Sequence, residues 1–310
     1  MYKDSDLVSV PNGMDAKAIR ASRNGAIDPK RLSESATHRP AKTTSQPLED
    51  VQGRGDVRGI RLERAGVTDV RYPATAIDPD GIERPTIVNL EMSVAVPPDS
   101  KGTHMSRFIE IVQADDRGLE PTAVVRMLRT MQERLEASEA RPALEFPLFM
   151  EREAPVTKSK GMVDVDCGFV GTIDGDDVDL VQKVVVTVTS LCPCSKEISD
   201  YGAHNQRGAV TVEVRTRKGE DGTPVTIPTG ELIFAAEESA SCRIYPVLKR
   251  PDERWITMEA YENPVFVEDM VRGVAERLMA DERVESFRVH ARNFESIHGH
   301  DAFAETSWSR

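Results

Sequence analysis

Apolar residues fall at every second position in one stretch of this chain after another, and that period admits little besides half-buried strands. Val88, Leu90, Met92, Val94 and Val96 alternate in this way, and so do Val163, Val165, Cys167 and Phe169. The pattern returns at Val184, Val186 and Val188, at Val210, Val212 and Val214, and at Phe287, Val289 and Ala291. Such a period turns one face of each strand to a core and the other to solvent. A second strand around Phe108 to Val112 is expected to pair back on the first as a hairpin. Turn-rich connections such as Gly171 to Asp179 favour antiparallel pairing.

Helices are expected between the strands. Pro121 sits near a first turn, and Val124, Leu128, Met131 and Leu135 share one helical face. Asn263-Pro264 reads as an N-cap with proline at N1. Val267, Met270, Val271, Val274 and Leu278 form the stripe that follows, with Glu268 and Asp269 in the first turn, where the helix dipole favours negative charge. Residues 218–230 read as loop and Glu231 to Glu238 as a short helix. The class is α+β, in two related halves.

Residues 1–80 read as a polar, largely irregular extension, with 39–48 disordered and the glycine-rich 53–59 a loop. Ordered structure is expected from near Arg84. Residues 81–200 and 201–310 are expected to form the two sheet-plus-helix units. The chain of 310 residues carries a net charge of −12, which disfavours a nucleic-acid partner. No apolar run is long enough for a membrane span, and the first residues lack a secretory h-region. Four cysteines, two of them in a Cys-x-Cys, fit a reducing cytoplasm better than a disulfide framework.

The chemistry concentrates in SLCPCSKEISDYGAHNQRG, Ser190 to Gly208, directly after the central run of valines. Cys192, Cys194 and His204 supply a thiolate and an imidazole, the ligand types of a zinc-class site. Cys-x-Cys is too short for a zinc knuckle, so one cysteine is expected to ligate and the other to be a neighbour. A Cys/His pair leaves room for a carboxylate and a water, as a hydrolytic site requires. The acids Glu237, Glu238, Glu253, Glu259, Glu262 and Glu268 are candidates to complete it. A carboxylate such as Glu268 can also accept two parallel N–H bonds from a guanidine-like edge. Glu295, His298, His300 and Asp301 follow the last strand, and on an extended chain the two histidines point the same way. They suit general acid–base work or ligation. Lys196, Arg207, Arg243, Lys249 and Arg250, in an acidic protein, point to an anionic substrate such as a polyphosphate.

SLCPCSKEISDYGAHNQRG, EESASCRIYPVLKRPDE, AYENPVFVEDMVR and NFESIHGHDA, in this order, resemble the GTP cyclohydrolase type IB family. The resemblance runs from about residue 85 to the C-terminus and leaves the first 80 residues uncovered. It implies a tunnelling fold, two antiparallel-sheet-plus-helix units per chain, and a homotetramer with sites at subunit interfaces. The implied reaction converts GTP and water to 7,8-dihydroneopterin triphosphate and formate, the first step of tetrahydrofolate biosynthesis. The family is metal-dependent, with zinc or manganese the implied ion and iron a further candidate. By motif, Cys192 and His204 resemble the metal ligands, with Glu253 as the carboxylate and Glu238 in reserve. Glu268 resembles the guanine anchor. Glu295, His298 and His300 resemble the substrate and proton-transfer cluster, and Lys196 and Arg207 would hold the triphosphate. Two rival readings remain: another tunnelling-fold enzyme, nitrile-reductase-like, with Cys192 as nucleophile, and a non-catalytic metal-binding protein with a closed site.

Overall fold

The computed structural model describes residues 50–114 and 118–310. The disorder expected at 39–48 falls outside these residues. Strand β1 (Leu62–Ile77) and β2 (Glu83–Val96) form a hairpin. Helices α1 (Met105–Ala114) and α2 (Pro121–Leu135) follow, and then the hairpin of β3 (Glu139–Glu153) and β4 (Lys160–Asp174). The same order then repeats. Strands β5 (Asp177–Leu191) and β6 (Asn205–Thr216) pair around the short helix α3 (Pro193–Ile198). Helix α4 (Thr229–Glu237), the two-residue β7 (Cys242–Arg243), α5 (Arg250–Glu262) and α6 (Val267–Ala280) come next. Strands β8 (Val284–Asn293) and β9 (Ala302–Ser309), the last two elements, close the chain as one hairpin.

Two hairpin–helix–hairpin units thus share one antiparallel sheet, in the order β1-β2-β3-β4-β5-β6-β8-β9, with β7 paired to β5. This is the α+β arrangement anticipated for each chain. Side chains from α1, α2, α4 and α6 join inward residues of the sheet in one continuous core. The other face is polar. On it a row of charge runs across the sheet, with Lys183 against Glu145 and Arg288 against Glu213. Among the described residues no helix is long and apolar enough to cross a membrane.

Several expectations change. Among the described residues the first strand is β1, ahead of the expected start near Arg84, and it pairs along β2 from Leu62↔Val96 to Ile77↔Glu83. The division between residues 200 and 201 cuts the β5–β6 hairpin, whose register runs from Val181↔Arg215 to Leu191↔Asn205. The order of elements begins to repeat after the turn between β4 and β5, where Gly175 has φ +58. Phe108, Ile111 and Val112 are buried on one side of helix α1 rather than along a strand, since spacings of three and four residues share a helical face. Asn263 does not start the second long helix. It closes α5, and its side-chain amide donates to Ala240 O at 2.9 Å. Helix α6 begins at Val267, with Glu268 and Asp269 in its first turn and the expected stripe buried.

Candidate active site at the end of the central hairpin

The last ladder pair of β5 and β6 is Leu191↔Asn205. One step further along the hairpin, Cys192 stands opposite His204, and the Cys192 amide donates to the His204 carbonyl at 3.1 Å. Residues twelve apart in sequence are therefore cross-strand neighbours. Directly opposed residues project from the same face of a sheet with β-carbons about 4.5–5.5 Å apart. The segment between them turns through α3, which has Pro193 at its start and Cys192 as N-cap. Cys192 Sγ accepts the Ser195 amide at 3.4 Å. The Ser195 hydroxyl donates to Cys192 O at 3.2 Å and accepts the His204 amide at 3.1 Å. Ser195 thereby locks both ends of the loop together.

His204, Gln206 and Gly208 lie on one side of β6, as the period of two requires. His204 Nδ1 is 2.8 Å from Gln206 Oε1 and 3.4 Å from Ser296 Oγ. Glu295 Oε2 is 4.0 Å from the same nitrogen. Its side chain is 10% exposed, yet that oxygen has no hydrogen-bond partner among the described residues. A buried carboxylate oxygen left open in this way is costly unless a water, ligand or ion satisfies it.

The other functional segments are tied to the same hairpin end. Asn293 Nδ2 donates to the Ser190 hydroxyl at 2.9 Å, and that hydroxyl donates to Val265 O at 3.2 Å. The Val265 amide donates to Leu191 O at 3.1 Å. This chain links the entry to α6, and with it Glu268, to the base of the Cys192 loop. The Phe294 amide donates to Arg207 O at 2.9 Å, and the Glu295 amide donates to Asp301 Oδ1 at 3.2 Å. The 294–301 loop is thereby folded over the hairpin end. Gly208 is needed here, since a β-carbon would lie 2.7 Å from Asn293 Oδ1 and 3.3 Å from Arg292 O.

The remaining candidates are placed as follows. His298 and His300 are exposed on a bent rather than extended segment, and their rings stack at 5.1 Å. Glu268 is exposed and lines a cavity of about 480 Å³ with Arg272, Met279 and Glu305. Lys196 donates to Tyr261 O and lies 4.4 Å over the Tyr261 ring. Arg207 is exposed on the opposite side of β6 from His204. Glu238 is engaged by Arg243 at 2.7 Å, and its neighbour Glu237 is buried against Arg152. Glu253 is exposed in the first turn of α5.

Asp252, one residue before Glu253, is fully buried. It accepts from the Val156 and Thr157 amides, the Thr157 hydroxyl and the Lys249 amide at 2.6–2.9 Å. Burial opposes its charge, but these bonds, the Thr157 hydroxyl foremost, hold the carboxyl well below its usual range. Asp252 therefore pins the start of α5 to the turn after β3.

Among the described residues no group of three or more His, Cys, Asp or Glu side chains is arranged to hold a metal ion. Cys192, His204 and Glu295 lie at one hairpin end, and neither Glu253 nor Glu238 completes a group of that kind with them. All four cysteines are free. Burial pushes the Cys167 thiol up to about 12 and the Cys242 thiol up to about 11, so neither is a ready thiolate. Residue types alone did not single out Ser195, Gln206, Ser296 and Asn293. For Gln206 the available clue was its place two residues beyond His204 at the start of an alternating strand.

The chain matches the family described as type I GTP cyclohydrolase FolE2 over residues 48–304. It is 48% identical over 259 residues to the GTP cyclohydrolase FolE2 of Nitrosococcus oceani, covering 84% of this chain and 94% of that protein. It is 44% identical over 264 residues to the GTP cyclohydrolase FolE2 of Nitrosomonas eutropha, covering 85% and 96%. Among solved structures, the uricase of Arthrobacter globiformis is similar at a TM-score of 0.47 and 11% identity, over 80% of this chain and 93% of that one. That likeness is too distant to bear on the chemistry.

Proposed function

The chain belongs to the type I GTP cyclohydrolase FolE2 family, and from that premise we propose that Cys192 and His204 hold a divalent metal ion at the centre of its active site. The activity is hydrolysis of GTP to 7,8-dihydroneopterin triphosphate and formate, the first step toward tetrahydrofolate. The observation that carries the metal reading is the cross-hairpin pairing of the two residues, with His204 Nδ1 already engaged by Gln206. A ligating histidine is typically fixed by such a bond at its other nitrogen. The open Glu295 Oε2 beside them also fits a site that takes up a charged group.

A mixed thiolate, imidazole and carboxylate set accommodates zinc, manganese or iron. When bound, such an ion supplies Lewis-acid activation of the water that hydrolysis consumes. Glu253 is the proposed third ligand. Among the described residues it completes no metal-holding group with the pair, and the proposed homotetramer offers a neighbouring subunit as the alternative source of the missing donor. Among the described residues the sheet's outermost strands, β1 and β9, are each paired on one side only, which leaves backbone edges for such an assembly.

Glu268 accepts the two parallel N–H groups on the guanine edge. Lys196 and Arg207 neutralise the triphosphate. The stacked His298 and His300 give and take protons at the ring nitrogen and at the departing formyl group, and Glu295 orients the substrate between them and His204. Free thiols throughout suit the proposed cytoplasmic location. The test is formate release from GTP by metal-stripped protein, with zinc, manganese and iron returned separately. Restoration by one of them supports the reading, and full activity without any of them defeats it.

A further inference from the structure

Gln206 makes the shortest contact to the imidazole of His204, 2.8 Å from Oε1 to Nδ1. It is almost completely buried, and it belongs to the β5–β6 ladder opposite Ser190. Its acceptor is thus carried by a rigid strand, two residues along on the same face as the ring it meets. The neighbouring groups are poorer partners for Nδ1. The Ser296 hydroxyl is at 3.4 Å on an exposed loop, and the Glu295 carboxylate at 4.0 Å lies beyond hydrogen-bond range.

A carbonyl oxygen can only accept, so with Oε1 turned toward the ring this contact places the proton on Nδ1. That leaves the lone pair of the neutral ring on Nε2, the form in which an imidazole binds a metal ion. The amide oxygen selects the tautomer without adding charge. We propose that Gln206 is a positioning residue that sets the tautomer and ring orientation of His204, so that Nε2 is presented for metal binding. This rests on the reading of His204 as a ligand.

The test uses full-length protein and zinc. In metal-free wild-type protein labelled with ¹⁵N-histidine, His204, assigned from its absence in His204→Ala, is expected to carry its proton on Nδ1. Gln206→Leu is expected to lose this preference and to weaken zinc binding, measured by chelator competition, by roughly ten- to a hundredfold. Gln206→Glu, which keeps an acceptor at the same reach, is expected to restore affinity to near the wild-type value. Should Gln206→Leu fail to fold, the wild-type tautomer and the Gln206→Glu affinity still decide. A wild-type His204 protonated on Nε2 would overturn the proposal. So would a folded Gln206→Leu protein that binds zinc as wild type does while His204→Ala does not. Unchanged zinc binding by His204→Ala would instead overturn the ligand reading, and the proposal with it.

Discussion

The amide of Cys192 donates to the carbonyl of His204 at 3.1 Å, one step beyond the last ladder pair of a β-hairpin. The hairpin register, rather than the loop that joins them, sets the spacing of these two residues. Each should be needed for the same thing. Cys192→Ala and His204→Ala are expected to lose bound metal and formate release together while keeping their secondary structure, as read by metal analysis and circular dichroism. Cys194→Ser, altering the exposed cysteine of α3, is expected to keep both.

Glu268 stands in the first turn of α6, and the backbone before it is tied to Leu191. In the role proposed for Glu268, acceptor of two guanine N–H bonds, its removal costs recognition rather than chemistry. Glu268→Ala is expected to raise KM for GTP by roughly ten- to a hundredfold, with metal content unchanged. A KM that stays put while kcat collapses would move Glu268 into the chemical step.

The exposed, stacked His298 and His300 should behave in the opposite way. Positioned acid–base groups contribute about 10²–10⁴ in rate. His298→Ala or His300→Ala is therefore expected to slow turnover by about a hundredfold or more with the metal retained. Loss of metal in either variant would make that histidine a ligand.

Gly208 faces Asn293 across the β6–β8 ladder. A methyl group there would meet Asn293 Oδ1 at 2.7 Å, and overpacking of this kind costs about 1–3 kcal/mol. Gly208→Ala is expected to lower the urea midpoint accordingly. It should also reduce activity, because the Asn293–Ser190–Val265 chain carries both the C-terminal loop and the entry to α6.

Asp252 provides a pH test. Its carboxyl is held below the ordinary value of 3.8 by the donors around it. The unfolded chain therefore takes up a proton at a higher pH than the native one. The contribution is fully present above about pH 4 and falls away as the pH drops below it. Asp252→Asn is expected to lower Tm at neutral pH and to flatten the fall in stability below pH 4, measured by thermal melts across that range.

Much of the sheet was legible because its inward residues are valines in strict alternation, as in β5 and β6. The stripes of α2 and α6 were equally plain. Strand β3 was not, although Ala140, Leu144, Phe146, Leu148 and Met150 are buried along it. Pro142 and Pro147 interrupt it, and proline argues against a strand with neighbours on both sides. Helix α1 was taken for a strand because it is short, and its three buried side chains also fit an extended run. Helix α5 escaped because its buried anchors are few and one is a charged residue, Asp252. At the site, residue types pointed to Cys192 and His204. Their contact depends on a register that only pairing with β5 creates, and the acceptor for His204 Nδ1 depends on which face of β6 turns inward.

The most direct measurement follows formate from GTP with fully chelated protein while zinc or manganese is titrated back. The Cys192–His204 site predicts that release is absent without metal and returns in proportion to ion bound, reaching its plateau at one ion per site. Undiminished formate release from protein shown by elemental analysis to hold no metal would contradict it.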